Sequence, residues 1–372
     1  VAVSADGPLY QLREEGYEVH ISSPYGERID DLIALGAKYH EIEIDRHGMN
    51  PVKDLSVLLN YKRLIHEIRP AVVLGYTIKP NIYGAMAAGS AGVPFVANIT
   101  GLGTAVENGG LKQKIMVVLY KLAFVKVQRV FFQNEENEIF FRENHIAIGK
   151  HDMLPGSGVN LERFPYTPLP ECGNGRDGAP VKFAFISRIM KEKGIEQYLS
   201  AAEIMRKYYP TVEFHVCGFC ECEYEGRLEE LNKNETIIYH GMIRDVAEMM
   251  SSVHCIVHPT YYPEGISNVL LEACSCGRPI VTTDRSGCRE VVIDGVNGYQ
   301  IAEKNVNDLV DALKRFLELS HLEKNEMGLA GRKFVEKKYD RKLVIDRYMQ
   351  EIHEADGATS GDRFRCVESM VL

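Results

Sequence analysis

Short apolar runs alternate with helix-length amphipathic segments along most of the chain. In the first half these runs lie at 18–22, 71–75, 94–99 and 130–133. In the second half they lie at 182–186, 212–217, 236–239, 255–259 and 279–283. Continuous apolar runs separated by helices are typical of parallel strands that are buried on both faces. The pattern therefore predicts an α/β fold with two doubly wound, Rossmann-like sheets.

A change of composition separates the two predicted sheets. From Pro155 to Pro180 the chain is rich in Pro, Gly and Asp, which is typical of a domain boundary. We therefore predict an N-terminal domain over 1–160 and a C-terminal domain over 161–333. The charged amphipathic segment 334–354 predicts a last helix, and 355–372, which lacks a helical period, is predicted to be a disordered tail.

Composition bounds the function classes. The 372 residues exceed a single typical core, the formal net charge is −9, and the absence of a basic block argues against a nucleic-acid partner. No apolar run approaches the length of a membrane-spanning helix and no signal peptide is visible, so we expect a cytoplasmic protein.

The odd number of cysteines, nine, favours reduced thiols. The cluster Cys217, Cys220 and Cys222 lacks further ligands at matching spacing, so neither a metal nor a cofactor is predicted.

Two glutamates flank a predicted loop-to-helix junction. Glu264 lies on the loop, and Glu272 falls about two turns into the helix among apolar and small residues. The first N–H groups of such a helix can face an anion. They belong to Ile266, Ser267 and Asn268, and Gly265 frees the backbone just before them. The alternative is an ordinary helix start, with Glu264 at the positive end of the dipole and Glu272 paired with Arg278.

A basic segment follows the first predicted strand of the second sheet. It contains Arg188 and Lys193 in the sequence Ser-Arg-Ile-Met-Lys-Glu-Lys-Gly. Two cations at the carboxyl end of a strand suit a diphosphate leaving group, whose negative charge grows as its bond to a sugar breaks. The alternative is a solvated basic turn.

Together these segments resemble retaining, nucleotide-sugar-dependent glycosyltransferases of family 4, which have the two-domain GT-B fold. The resemblance spans about residues 8–353 and rests on the Glu-x7-Glu segment, its flanks and the Arg-x4-Lys-Gly element. It implies that Glu264 contacts the donor sugar, that Glu272 binds the ribose, and that Arg188 and Lys193 grip the diphosphate. It also implies that Met242 and Ile243 lie beside the base, and that the helix 334–354 crosses back to the first domain.

The loops of the first half resemble the polysaccharide-assembly branch of this family, which makes capsule and O-antigen. The acceptor-side residues that this implies are Lys79, Gly101, Gly103, Asn134 and Glu135. Lys79 suits a phosphate of donor or acceptor, and the glycines permit close backbone approach. Ordinary strand-to-helix turns and a helix cap at Asn134 are the alternatives. The first strand and loop are short compared with the family pattern.

The segment 111–129 carries five basic residues, no acidic residue and many apolar ones. This composition suits the surface of an anionic membrane, and the alternative is a core helix with a lysine face. It favours peripheral contact with the inner face of the membrane.

The resemblance and these residues predict a metal-independent, retaining glycosyltransferase. We expect it to move a hexose or N-acetylhexosamine from a nucleoside-diphosphate sugar, with UDP the expected nucleotide, to a lipid-linked saccharide in cell-surface polysaccharide or glycan synthesis. The resemblance implies that the acceptor hydroxyl attacks from the face that the phosphate leaves, so no protein nucleophile is assigned. A nucleotide-sugar 2-epimerase of the same fold and a non-catalytic nucleotide-sugar-binding subunit remain as alternatives.

Overall fold

The chain folds as two compact units. The computed structural model describes residues 8–26, 29–45, 50–103, 109–220, 223–358 and 366–370. Unit 1 comprises Val1–Ser157 and Lys342–Leu372, and unit 2 comprises Gly158–Arg341. The predicted shortening at the start of the chain falls mainly on residues 1–7, which lie outside the described residues.

Unit 1 contains a seven-stranded parallel sheet with the strand order β2-β1-β13-β3-β4-β5-β6. Its strands, numbered along the whole chain, are β1 (Glu18–Ser23), β2 (Lys38–Glu41), β3 (Val72–Tyr76), β4 (Phe95–Ile99), β5 (Arg129–Phe132), β6 (His151–Met153) and β13 (Cys366–Met370). The α-helices are α1 (Pro8–Glu14), α2 (Ile29–Ala34), α3 (Pro51–Ile68), α4 (Ala85–Ala91), α5 (Gly110–Ala123), α6 (Glu135–Glu143) and α13 (Arg341–Ala358). A π-helix, Pro80–Gly84, precedes α4, and a 3-10 helix, Phe124–Lys126, follows α5.

Unit 2 contains a six-stranded parallel sheet with the strand order β12-β11-β10-β7-β8-β9. Its strands are β7 (Val181–Ile186), β8 (Val212–Cys217), β9 (Ile238–Gly241), β10 (Cys255–His258), β11 (Ile280–Thr283) and β12 (Gly298–Ile301). The helices are α7 (Ile195–Tyr208), α8 (Glu225–Lys233), α9 (Val246–Ser252), α10 (Asn268–Ser275), α11 (Val306–Glu318) and α12 (His321–Lys338), with a 3-10 helix at Lys191–Lys193.

Each sheet is covered by helices on both faces, which explains the continuous apolar runs of its strands. In unit 2, Phe183 and Phe185 of β7 pack in one core with Tyr198 of α7. The alternate residue Ala184 packs in the core on the opposite face, with Leu270 of α10. The period of two along a strand therefore supplies both cores.

The nine strands predicted from apolar runs are confirmed, with ends that differ by up to two residues. The strands β2, β6 and β12 were not predicted. They lie at or next to a sheet edge, are three or four residues long, and include polar residues such as Lys38 and His151. A short strand with a partner on one side needs no continuous apolar run.

The prediction of a disordered tail over 355–372 is wrong in two places. The helix α13 continues to Ala358, and Cys366–Met370 forms β13. This strand pairs in parallel with both β1 and β3. The missing helical period excluded a long helix but did not exclude a strand.

The predicted helix 334–354 is also wrong in its boundaries, because two helices meet inside it. The helix α12 ends at Lys338 and α13 begins at Arg341. Between them Asp340 forms a parallel bridge with Val159. The Val159 N–H donates to the Tyr339 carbonyl at 2.8 Å, and the Arg341 N–H donates to the Val159 carbonyl at 3.0 Å. These bonds require extended backbone, which interrupts the helix.

Candidate active site

The predicted donor-binding residues of unit 2 lie in the loops after two neighbouring strands. Arg188 follows β7, Lys193 ends the 3-10 helix Lys191–Lys193, and Glu264 lies between β10 and α10. The Tyr261 N–H donates to the Glu192 carbonyl at 2.8 Å, which joins the two loops. They approach so closely that a Cβ at residue 194, a glycine with φ +80°, would collide with the Pro259 carbonyl. Only glycine fits there, because a side chain would be strained as well as blocked.

Arg188 and Lys193 lie beside the ring of Tyr262, and Glu264 contacts Lys193. Lys193 forms an ion pair with Glu264, and both side chains are largely buried. Lys193 Nζ lies 4.9 Å and Arg188 Cζ lies 5.8 Å from the centroid of the Tyr262 ring. Burial and then repulsion from Arg188 lower the pKa of Lys193 to about 8, while the contact with Glu264 favours the charged ammonium. The buried ammonium of Lys193 and the exposed guanidinium of Arg188, beside one carboxylate, can bind a diphosphate and stabilise its developing charge.

Glu272 is a partly buried carboxylate in α10. Burial raises its pKa to about 7, and the positive charges of Arg163 and Arg341 oppose this rise. The alternative that paired Glu272 with Arg278 is wrong. The Arg278 guanidinium is fully buried and donates to backbone carbonyls, including Cys276 at 2.9 Å and Val253 at 3.0 Å. Arg278 therefore ties loops of unit 2 together, and the Glu272 carboxylate can accept hydrogen bonds from a ligand.

The start of α10 differs from the predicted anion seat. The Ser267 N–H donates to the Gly287 carbonyl at 2.8 Å, so it is not available to an anion, and the prediction is wrong for this group. Ile266 and Ser267 are buried, whereas Asn268 is exposed. Gly287 has φ +91°, and a Cβ there would collide with the Gly265 carbonyl. Because the two segments approach so closely, the Gly287 carbonyl reaches the start of α10. The local sequence around α10 did not indicate this contact.

The predicted base-side residues lie in the loop after β9. Met242 is exposed, and Ile243 packs against the core on the α10 face of the sheet. Two residues after Ile243, the Asp245 carboxylate accepts a hydrogen bond from the Glu248 N–H at 2.9 Å. Asp245 thus caps α9.

His258 was missed by sequence analysis. It ends β10, is 1% exposed, and neither ring nitrogen has a hydrogen-bond partner in the part of the chain that the structure describes. Burial and then the charge of Lys193 hold its pKa well below the ordinary value, so the ring is neutral at pH 7. The available signal was a polar residue at the carboxyl end of an apolar strand, where sites of α/β sheets lie.

The predicted acceptor-side residues of unit 1 follow β3, β4 and β5. Lys79 forms an ion pair with Asp54 of α3, with 2.7 Å between Nζ and Oδ1. Gly101 and Gly103 have positive φ, and a Cβ at Gly103 would lie 3.3 Å from Ile78 Cδ1, so the loops after β3 and β4 lie side by side. Asp54 was not predicted, because it is 25 positions from its partner.

Asn134 and Glu135 begin α6. The Asn134 side chain accepts from the Asn137 N–H at 2.9 Å, so the alternative of a helix cap is confirmed. Glu135 is exposed in the first turn, where a carboxylate interacts favourably with the helix dipole. Both residues therefore have a structural role.

A buried polar network lies under these loops. The Asn81 amide donates to the Asn98 carbonyl oxygen at 2.9 Å, and the Gln133 amide donates to Asn98 Oδ1 at 3.1 Å. The Asn98 amide in turn donates to the hydroxyl of Tyr348 in α13. The network connects the carboxyl ends of β3, β4 and β5, and it was not predicted because its members are far apart in sequence.

The segment 111–129 does not form one helix, since it includes α5, a 3-10 helix and the first residue of β5. Met116, Tyr120 and Ala123 are buried in the unit 1 core. Five other apolar side chains are 40–74% exposed: Leu111, Ile115, Val118, Leu122 and Val125. Within the described residues, no helix combines the length and the apolar character that crossing a bilayer requires.

Two family models match the chain. The model described as glycosyl transferases group 1 matches residues 173–334, and the model described as glycosyl transferase 4-like matches residues 9–134. Together they cover more than half of the chain. The chain belongs to these glycosyltransferase families. Its two Rossmann-like units have the GT-B fold, so the expectations of family and fold are confirmed.

Similar proteins span nearly the whole chain. The N,N'-diacetylbacillosaminyl-diphospho-undecaprenol alpha-1,3-N-acetylgalactosaminyltransferase of Campylobacter jejuni is 27% identical over 91% of this chain and 92% of its own length. The capsular polysaccharide biosynthesis glycosyltransferase CapM of Staphylococcus aureus is 24% identical over 96% of this chain and 97% of its own length. The structure of HepE from Anabaena in complex with UDP superposes with a TM-score of 0.72 at 15% identity, covering 91% of this chain and all of HepE.

Proposed function

We propose that this glycosyltransferase moves a hexose or N-acetylhexosamine from a UDP-sugar to a lipid-linked saccharide, with retention, in the assembly of a cell-surface polysaccharide. The observation that carries the proposal is that Arg188 and Lys193 lie together beside Tyr262 while Lys193 pairs with Glu264. The names of the relatives support the substrate class, because the Campylobacter enzyme is named for a diphospho-undecaprenol saccharide acceptor and CapM for capsular polysaccharide biosynthesis. The presence of UDP in the HepE complex supports UDP as the nucleotide of the donor.

In the proposed mechanism the two cations act on the leaving group. Arg188 and Lys193 donate hydrogen bonds to the diphosphate, and these bonds strengthen as the sugar–phosphate bond breaks and negative charge grows. The Glu264 carboxylate accepts from hydroxyl groups of the donor sugar, and Glu272 accepts from the ribose hydroxyls. In the structure Glu264 compensates the positive charge of Lys193, and a diphosphate between the two cations would compensate the same charge.

We also propose that α5 and the following turn contact an anionic membrane at its inner face. The exposed apolar residues Leu111, Ile115, Val118, Leu122 and Val125 recur at spacings of three and four, which places them along one stripe. Lysines at 112, 114, 121 and 126 are exposed next to this stripe. Exposed apolar side chains flanked by lysines favour an interfacial helix over a core helix with a lysine face.

Transfer to a lipid-linked acceptor tests the proposal. The protein is incubated with a panel of UDP-sugars and an undecaprenyl-diphosphate saccharide, and products are measured by mass spectrometry. We expect a product one sugar larger, formed with release of UDP and abolished in Glu264→Gln. An epimerised UDP-sugar would support the 2-epimerase instead. Binding of UDP-sugars without any turnover across the panel would support the non-catalytic subunit.

A further inference from the structure

The turn after β3 is strained and contains unpartnered polar atoms. Thr77 has φ +62°, which is rare for a β-branched residue, and the next helical segment is the π-helix Pro80–Gly84. Thr77 Oγ1 and Asn81 Oδ1 are buried without a hydrogen-bond partner in the described part of the chain. Strained backbone and π-helical turns concentrate at functional sites. This turn is therefore a candidate for contact with a ligand.

Three polar side chains meet beside this turn. Lys79 Nζ lies 2.7 Å from Asp54 Oδ1, and each side chain is 14% exposed. Burial and a hydrogen bond to Asp54 raise the pKa of the Tyr83 hydroxyl, so it stays protonated and donates to the carboxylate. Asp54 lies in the first turn of α3, where the helix dipole also favours its negative charge. We call Asp54, Lys79 and Tyr83 the β3 triad.

The charge of the β3 triad argues against a phosphate at Lys79. The ammonium already faces a carboxylate, so the pair is neutral, and Asp54 would repel a phosphate that approached. The remaining hydrogen-bonding capacity is mixed. An ammonium has three N–H groups and an ionised carboxylate about four acceptor positions, so donors and acceptors both remain after the internal bonds. A sugar diol, whose hydroxyl groups donate and accept, matches this set.

We propose that the β3 triad binds hydroxyl groups of a neutral sugar, the terminal residue of the saccharide acceptor. This inference rests on the proposed function, and it assigns Asp54 as a specificity-determining residue that no motif indicated. In this arrangement Asp54 accepts from one hydroxyl and Lys79 donates to its neighbour, while the Tyr83 ring offers an apolar surface to the C–H groups of the sugar. The network under Asn81 and Asn98 holds the turn in place.

Saturation-transfer NMR with free methyl glycosides tests the proposal. The panel contains the methyl α-glycosides of glucose, galactose, N-acetylglucosamine and N-acetylgalactosamine, with the full chain as receptor. We expect at least one glycoside to bind the parent, and its affinity to fall about tenfold in Asp54→Asn and Lys79→Met because a hydrogen bond to a charged group is lost. Tyr83→Phe should lose less. Lys53→Met is the matched control, because Lys53 also lies in α3 and forms an exposed ion pair with Asp45.

Pyrophosphate provides the opposing test. If Lys79 holds a phosphate, Asp54→Asn removes a repulsive charge and should strengthen pyrophosphate binding, whereas the sugar site predicts that pyrophosphate does not compete with the glycoside. Stronger pyrophosphate binding in Asp54→Asn, or equal glycoside binding by the parent and the triad variants, would overturn the proposal. Circular dichroism checks folding, and Lys79→Met replaces Asp54→Asn if the latter does not fold.

A thermal-shift measurement with UDP separates this inference from the proposed function. UDP should stabilise the parent and the triad variants alike, because the predicted donor residues lie in unit 2. A UDP shift without any Asp54-dependent sugar binding would remove only the β3 triad. Absence of a shift with UDP in the parent would instead count against the proposed donor.

Discussion

Replacement of Glu272 by glutamine should make the unliganded protein more stable while weakening nucleotide binding. The folded protein holds the proton of Glu272 to a higher pH than the unfolded chain does, because burial raises its pKa from 4.5 to about 7. Above pH 4.5 the Glu272 carboxyl ionises readily in the unfolded chain but not in the folded protein, so the free energy of the unfolded chain falls relative to that of the folded protein. The resulting loss of folding stability develops between pH 4.5 and about 7 and persists above it.

The magnitude follows from the two pKa values. The interval from 4.5 to about 7 corresponds to about 3 kcal/mol, and partial exposure of the side chain reduces this to about 2 kcal/mol. Glu272→Gln should thus match the parent near pH 4.5 and exceed it by about 2 kcal/mol at pH 8. Loss of the charged acceptor for ribose hydroxyls should cost UDP binding about 1–3 kcal/mol, or roughly fivefold to 150-fold in affinity.

Urea unfolding at pH 4.5, 6, 7 and 8, with and without UDP, measures both effects. Glu326→Gln is the control, because Glu326 is exposed on α12 and loses the same charge. The reasoning would be refuted if the stability difference between Glu272→Gln and the parent were independent of pH. An equal stabilisation of both proteins by UDP would remove Glu272 from the nucleotide site.

Three further predictions concern catalysis and the membrane. Arg188→Ala and Lys193→Ala should each lower turnover by about a hundredfold or more while UDP binding changes less, because they act on charge that develops as the bond breaks; near-parental turnover would remove them from the diphosphate site. Activity should survive EDTA, and loss of activity that magnesium or manganese restores would contradict metal independence. The parent should sediment with phosphatidylglycerol vesicles at low salt, since each basic residue near the surface contributes roughly 1 kcal/mol. A variant with glutamate at 112, 114 and 121 should stay in the supernatant, whereas the corresponding arginine variant should sediment. Identical behaviour of the parent and both variants would exclude α5 as a membrane-binding surface.

The sequence was sufficient for the architecture and for the outline of the donor region. Strands that are buried on both faces must be continuously apolar, so eight of the nine predicted strands were visible as runs for this reason, β9 being a partly exposed edge strand. The alternation of these runs with helices implied two parallel sheets. Parallel strands also end at a common edge, which is why Arg188, Lys193 and Glu264 could be grouped before their distances were known. Asn134 was recognisable as a cap residue because capping acts within one turn.

The tertiary structure alone decided which distant groups meet. Local periodicity indicates which residues are buried but not which residues contact each other. It could not show that Lys79 pairs with Asp54 or that the Ser267 N–H donates to the Gly287 carbonyl. The strand β13 was hidden for a related reason, since five residues carry too little periodicity to separate a strand from an irregular tail. Its place between β1 and β3 depends on backbone hydrogen bonds, which side-chain patterns do not encode.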